Sequence, residues 1–175
     1  ILKIMKRGYT VERYKDLIGR IRAAIPHVSM TTDIIVGHPG ETDEHFAVTL
    51  DLVKELRFGK VHIAAYSARP GTRAADMEAD PAHEVPYWKK QLRRVELEKA
   101  QAEILTVDNQ RWLGETVEVL VEDQVRGKWR GRTPQNKLVY FSDAEDWTGK
   151  LAQVYISHTG PWSLSGELAA VAVPA

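Results

Sequence analysis

Thr31-Thr32-Asp33-Ile34-Ile35-Val36-Gly37-His38-Pro39-Gly40-Glu41-Thr42 reads as the end of a buried strand, a tight turn and the start of a helix. Alternation begins at Val28: Val28, Met30, Thr32, Ile34 and Val36 fall on one face. Ser29, Thr31, Asp33, Ile35 and Gly37 fall on the other. An apolar back and a polar front suit a parallel α/β sheet or barrel, in which ligands sit where strands end. That end is Gly37–Glu41, where two glycines allow close backbone approach to a ligand. A βα turn with no ligand is the alternative.

The neighbouring segments extend the pattern. Thr10 is an N-cap for a helix from about Val11 to Ile25, with Tyr14, Leu17, Ile18, Ile21 and Ile25 at helical spacing. Pro26 ends it. Thr42 caps a second helix with Asp43 and Glu44 in its first turn and a stripe of Phe46, Leu50, Val53 and Leu56. Lys60 to Ser67 is a second strand. Its Val61, Ile63 and Ala65 oppose His62, Ala64 and Tyr66. Residues 1–67 thus read helix, strand, helix, strand. Two parallel strands leave uncovered edges, so the expected class is an α/β partial (TIM-like) barrel fragment whose first strands are absent.

Residues 67–86 are expected to be a loop. Arg69 in Ser67-Ala68-Arg69-Pro70-Gly71-Thr72 is a candidate anion contact, or a solvated turn arginine. A long helix is expected over about Val85–Arg111, packed through Trp88, Leu92, Val95, Ala102 and Leu105 and bridging two domains. Five short β runs follow, at 116–121, 128–133, 138–141, 151–156 and 163–169, broken by glycine and proline. They point to a small all-β, OB-like barrel. The expected domains are 1–80, a packing and bridging helix at 81–111, and 112–170.

The 175 residues carry 24 Lys and Arg against 24 Asp and Glu, so nucleic-acid contact requires a local patch. Such a patch exists. Gln124 to Ser142 hold five basic residues and no acid. Arg126, Lys128, Arg130 and Arg132 alternate, so one strand face carries all four and suits a phosphate backbone. A charged edge strand in solvent is the alternative. Trp129, on the opposite face, is read as barrel core rather than as a base-stacking platform. No run of about 18 apolar residues suits a membrane span. The start, Ile1-Leu2-Lys3-Ile4, has no initiator Met and begins in mid-pattern, so a longer parent chain is expected. The sequence has no cysteine, which excludes thiolate metal ligands and Cys nucleophiles within it.

Four motifs in order carry a family resemblance: Met5-Lys6-Arg7-Gly8-Tyr9-Thr10, Thr32 to Thr42, Tyr66 to Thr72, and Gly131-Arg132-Thr133-Pro134-Gln135-Asn136-Lys137. Together they resemble the C-terminal part of a radical-SAM methylthiotransferase with its TRAM domain. Gly131 to Lys137, the following Leu138-Val139-Tyr140-Phe141 and Val61 to Ser67 are more similar to the tRNA-directed branch than to the ribosomal-protein branch. One departure is His38, where the pattern has an aromatic such as Phe. Its ring can still pack, and no partner ligands lie nearby for a metal.

The resemblance implies S-adenosylmethionine and two [4Fe–4S] clusters as cofactors, with the cluster cysteines outside this chain. It implies Arg7 for the carboxylate of S-adenosylmethionine, and Asp33, Ile35 and Gly37 along its adenosine part. His62, Tyr66 and Arg69 would line the next strand and loop, with Tyr66 on the cofactor and Arg69 on the substrate. Arg126, Lys128, Arg130, Arg132, Asn136 and Lys137 would hold RNA. The expected reaction adds a methylthio group to a hypermodified isopentenyladenosine beside the tRNA anticodon. Expected partners are the anticodon stem-loop and the missing N-terminal part, in a monomeric, cytoplasmic enzyme. Without cluster ligands these 175 residues are expected to be inactive alone. A ribosomal-protein aspartate as substrate, or a non-catalytic RNA-binding module, are the competing readings.

Overall fold

The computed structural model of the protein describes residues 1–169. Residue 170, the expected end of the last domain, lies outside them. The chain divides into two compact units, Ile1–Gln101 and Ala102–Ala175.

In the first unit, α1 (Val11–Ala24) starts at Thr10, whose hydroxyl accepts the Arg13 amide at 3.3 Å. It ends at Ile25, before Pro26 removes the next backbone donor. Ile18 is buried, while Leu17 and Ile25 of the expected stripe are exposed. The Tyr14 hydroxyl meets the Thr32 hydroxyl at 3.1 Å and ties α1 to β1 (Thr31–Val36). Next, α2 (Asp43–Leu56) opens with a reciprocal cap: Thr42 Oγ1 accepts the His45 amide and His45 Nδ1 accepts the Thr42 amide. It buries Phe46, Val53 and Leu56.

β2 (Lys60–Ala65) pairs with β1 in parallel, Asp33 opposite His62 and Ile35 opposite Ala64. The Tyr66 amide extends the ladder to the Val36 carbonyl at 2.8 Å. Burial follows the expected alternation. Val36 and Val61 are buried, whereas Thr31, Asp33, Ile35, His62 and Ala64 form an exposed front. Among the described residues this sheet has two strands.

Two expectations need correction in this unit. The segment after β2 is not all loop, because Thr72 caps a short helix, α3 (Arg73–Glu78). The long helix, α4 (Tyr87–Asn109), buries only the C-terminal end of the expected stripe, with Leu105 buried and Ala102 half-buried. Trp88, Leu92 and Val95 are 64%, 57% and 53% exposed. Its inward positions are Lys90, Arg93, Leu97, Ala100 and Gln101. The inward charges are held by acids from elsewhere in the chain, which a hydrophobic-periodicity argument does not detect.

The second unit begins on the last turns of α4 and a single 3-10 turn, Gln110–Trp112. Five strands follow: β3 (Thr116–Val125), β4 (Lys128–Arg132), β5 (Leu138–Phe141), β6 (Leu151–Thr159) and β7 (Leu164–Leu168). They close into a barrel in the order β3-β4-β5-β7-β6, with β5 and β7 parallel and every other pair antiparallel. Closure removes the free edges. Inward residues of every strand build one core, including Val119, Val121, Trp129, Val139, Phe141, Val154, Ile156 and Leu164. Trp129 is core, as expected, and its indole donates to the Asp143 carbonyl at 3.2 Å. At Gly131 a Cβ would run into the Leu120 carbonyl oxygen and the Val119 side chain, so only glycine lets β4 lie this close to β3.

Candidate functional site

The turn after β1 is a knot of backbone and buried charge. Gly37 and Gly40 have φ of +75° and +82°, which a side chain would strain. The Glu41 amide donates to the His38 carbonyl at 2.9 Å and closes the turn. The Glu41 carboxylate folds back to accept the Gly37 amide at 3.0 Å. Arg93 of α4 donates to the same carboxylate oxygen at 2.6 Å and to the Asp43 carboxylate at 2.8 Å. Asp43 also accepts from Lys89 at 2.8 Å. These two cations, Lys89 first, hold the Asp43 carboxyl below its ordinary 3.8.

Lys90 lies beside this knot. Its aliphatic stem occupies the space a Gly37 Cβ would need, and its amine pairs with Glu78 of α3 and lies over the Tyr66 ring. Gly37 is therefore glycine for helix packing as well as for its dihedral, and not simply for ligand approach. His38 is buried, edge-on to Tyr66 with centroids 5.3 Å apart, and Nδ1 donates to the Pro39 carbonyl at 2.9 Å. The ring packs as an aromatic would. The Tyr66 hydroxyl is buried and lacks a partner at hydrogen-bonding geometry. Burial raises its pKa above the ordinary 10, with the Glu78 charge adding to the shift.

The other expected residues of this unit are spread out. Asp33 and Ile35 stand on the exposed front with His62 and Ala64. Arg7 is exposed in the turns that precede α1, and Arg69 is exposed after β2, where its carbonyl accepts the Thr72 hydroxyl at 2.8 Å. Front-face nucleoside chemistry fits: Ile35 and Ala64 offer apolar surface, and Asp33 offers acceptors for ribose hydroxyls. Iron–sulfur chemistry does not fit, because the sequence contains no cysteine.

The barrel carries the second candidate surface. Lys128, Arg130 and Arg132 alternate outward on β4 as expected. Arg126 does not join them. It occupies the two-residue β3–β4 turn with Gly127, and both have positive φ. The face is also not free of acid. The β3–β4 register shifts between Val121 and Asp123, which lets consecutive acids reach the basic row. Asp123 takes Arg130 in a two-pronged pair at 2.8 and 2.6 Å, raising the Arg130 pKa. Glu122 takes Arg132 at 3.1 Å. Asn136, at φ +60°, accepts from Arg132 at 3.1 Å.

Lys137 is far less exposed than the other basic residues of this surface. It is 9% exposed, and burial and then the Arg111 charge lower its pKa, opposed by Asp108. Its backbone closes the loop: the Thr133 amide donates to the Lys137 carbonyl and the Lys137 amide to the Thr133 hydroxyl. Arg111 was not foreseen. It is exposed, with its guanidinium 5.0 Å from the Trp112 ring centroid.

A radical SAM superfamily model matches residues 1–53, and a TRAM domain model matches residues 110–169. The tRNA-2-methylthio-N(6)-dimethylallyladenosine synthase of Roseiflexus sp. (strain RS-1) is 66% identical over 169 residues, covering 97% of this chain and 36% of its own length. The synthase of that name from Chloroflexus aurantiacus is 62% identical over 166 residues, covering 95% of this chain and 36% of its own length. One from Bacillus velezensis is 42% identical over 176 residues, covering 99% and 34%. The chain thus carries part of a radical SAM segment and a TRAM segment in the order 1–53 then 110–169, and is similar over nearly its whole length to one portion of these synthases. It spans little more than a third of these curated relatives. The barrel at 116–168 lies within the TRAM domain match. The quoted motifs do not include Arg93 and Lys90 of α4, which contact the β1 turn, or Glu78 of α3, which pairs with Lys90. Their signal in the sequence is weak: charged residues at helix positions that the apolar spacing leaves unassigned. Among the described residues, no helix is long and apolar enough to cross a membrane.

Proposed function

We propose that this chain is the C-terminal portion of a cytoplasmic tRNA methylthiotransferase. The whole protein adds a methylthio group to a hypermodified isopentenyladenosine beside the anticodon. The observation that carries this reading is the pairing, in one chain, of the Gly37–Glu41 strand end with a TRAM barrel, at high identity to synthases of that name. Residues 1–80 form the late strands of a partial barrel, 81–111 the connecting helix, and 112–170 the RNA-holding domain. The whole protein acts as a monomer, with its clusters held by cysteines of the part outside this chain.

S-adenosylmethionine and its cluster supply the radical chemistry when bound. The residues here bind and orient. Asp33 and Ile35 face the adenosine part, and Gly37 shapes the strand end that receives it. Tyr66 offers its buried hydroxyl at the end of β2, and Arg7 supplies a guanidinium for the amino-acid carboxylate. Arg69 stands at the mouth for the substrate. On the barrel, Arg126 and Lys128 are exposed cations for phosphates of the anticodon stem-loop, and Arg132 and Asn136 form a polar pair beside them.

Filter binding of an anticodon stem-loop RNA to the 175-residue chain tests the RNA half. Arg126→Glu with Lys128→Glu should weaken binding by about tenfold or more and flatten the log-affinity against log-salt slope by about one for each phosphate no longer neutralised. An unchanged affinity and slope would remove RNA from the proposal.

A further inference from the structure

The charges that α4 turns inward lie outside the four motifs that carry the resemblance, yet they are buried and ion-paired. The Arg93 side chain is 3% exposed and that of Glu41 6%. One guanidinium nitrogen donates to the Glu41 carboxylate at 2.6 Å and to the Glu41 backbone carbonyl at 3.2 Å. The second terminal nitrogen donates to Asp43 at 2.8 Å, and Nε is buried without a hydrogen-bond partner. The guanidinium carbon lies 5.5 Å from the Phe46 ring centroid. Arg93 therefore touches both sides of the junction at Thr42, the last turn residue before α2 and the first turn of that helix. Through Glu41 it also reaches the Gly37 amide, the first beyond β1.

We propose that Arg93 is a positioning residue for the cofactor turn: by clamping the Glu41 carboxylate onto the Gly37 amide, it fixes the end of β1 in the orientation that receives the adenosine part of S-adenosylmethionine. This rests on the reading of that strand end given under Proposed function. The chemistry explains the residue type. A planar fork reaches two carboxylates at once, whereas an ammonium reaches one as a point charge. The location explains why charge is used at all. Buried ion pairs add little net stability compared with apolar packing, because desolvation offsets the attraction. A leucine or methionine would hold α4 against α2 without directing a carboxylate at Gly37. Lys90 reinforces the same end from one turn earlier, with its stem against Gly37 and its amine on Glu78.

The test uses the complete protein that carries this chain, with clusters reconstituted, as wild type, Arg93→Lys, Arg93→Met and Leu97→Ala. Leu97 is a buried α4 residue outside the clamp and reports simple helix loosening. S-adenosylmethionine KM and kcat, melting temperature and Gly37 amide exchange are measured together. Arg93→Lys should raise KM about tenfold or more with a smaller change in kcat, and should speed Gly37 exchange. Arg93→Met should do so more strongly if it folds. Leu97→Ala should lower the melting temperature at least as far as Arg93→Lys while leaving KM within about twofold. Equal KM in wild type and Arg93→Lys, or a KM increase in Leu97→Ala matching that in Arg93→Lys, would overturn the positioning role. Wild-type protein in which S-adenosylmethionine leaves Gly37 and Ile35 amide exchange unchanged would instead refute the strand-end reading, and the proposal with it.

Discussion

At the scale of single residues, two positions carry constraints that can be tested alone. Gly131 has no room for a Cβ against the Leu120 carbonyl, so Gly131→Ala should cost about 1–3 kcal/mol in urea denaturation through forced backbone displacement. A loss under about 0.5 kcal/mol would show that β4 shifts freely. Asp43 is held below its ordinary 3.8 by Lys89 and Arg93. A depressed carboxyl stabilises the fold fully above its unfolded pKa and loses that contribution as pH falls through the folded one. Wild type should therefore melt above Asp43→Asn at neutral pH, and the gap should close below pH 3.8. A gap that persisted at low pH would assign the difference to packing.

The α4 helix shows at the scale of an element where sequence legibility stops. β5 was readable to the residue and β4 and β7 to within one, whereas β3 and β6 run four and three residues beyond their expected ends, because period-2 alternation reports a half-buried strand but not where its exposed end stops. The existence and length of α4 were also readable. Its orientation was not, because Trp88, Leu92 and Val95 look like a core stripe and Lys90 and Arg93 look like surface. The partners that reverse this, Glu41, Asp43 and Glu78, lie 12 to 52 residues earlier in the sequence. The basic face of β4 was misjudged for a similar reason. Glu122 and Asp123 are adjacent in sequence and would point to opposite faces of a regular strand, yet the register shift brings both to the arginines. Leu97→Ala should cost about 2–5 kcal/mol, and Leu92→Ala about 0.5 kcal/mol or less, in equilibrium unfolding. Equal losses would restore the apolar-stripe orientation.

The whole molecule contains one half-site of each kind. The first unit offers an open, two-stranded sheet front and a clamped turn, and no thiolate to hold iron. The second offers a closed barrel with a basic, partly ion-paired rim. Under the function proposed above, the first is the cofactor-facing part and the second the RNA-facing part. The most direct measurement is to express the complete protein carrying this chain in cells lacking their own tRNA methylthiotransferase, and to analyse digested tRNA nucleosides by mass spectrometry. A methylthio-isopentenyladenosine peak that appears with wild type and is lost when the segment 112–169 is deleted is expected. Isopentenyladenosine left unmodified, with a methylthio group found instead on a ribosomal-protein aspartate, would contradict the assignment.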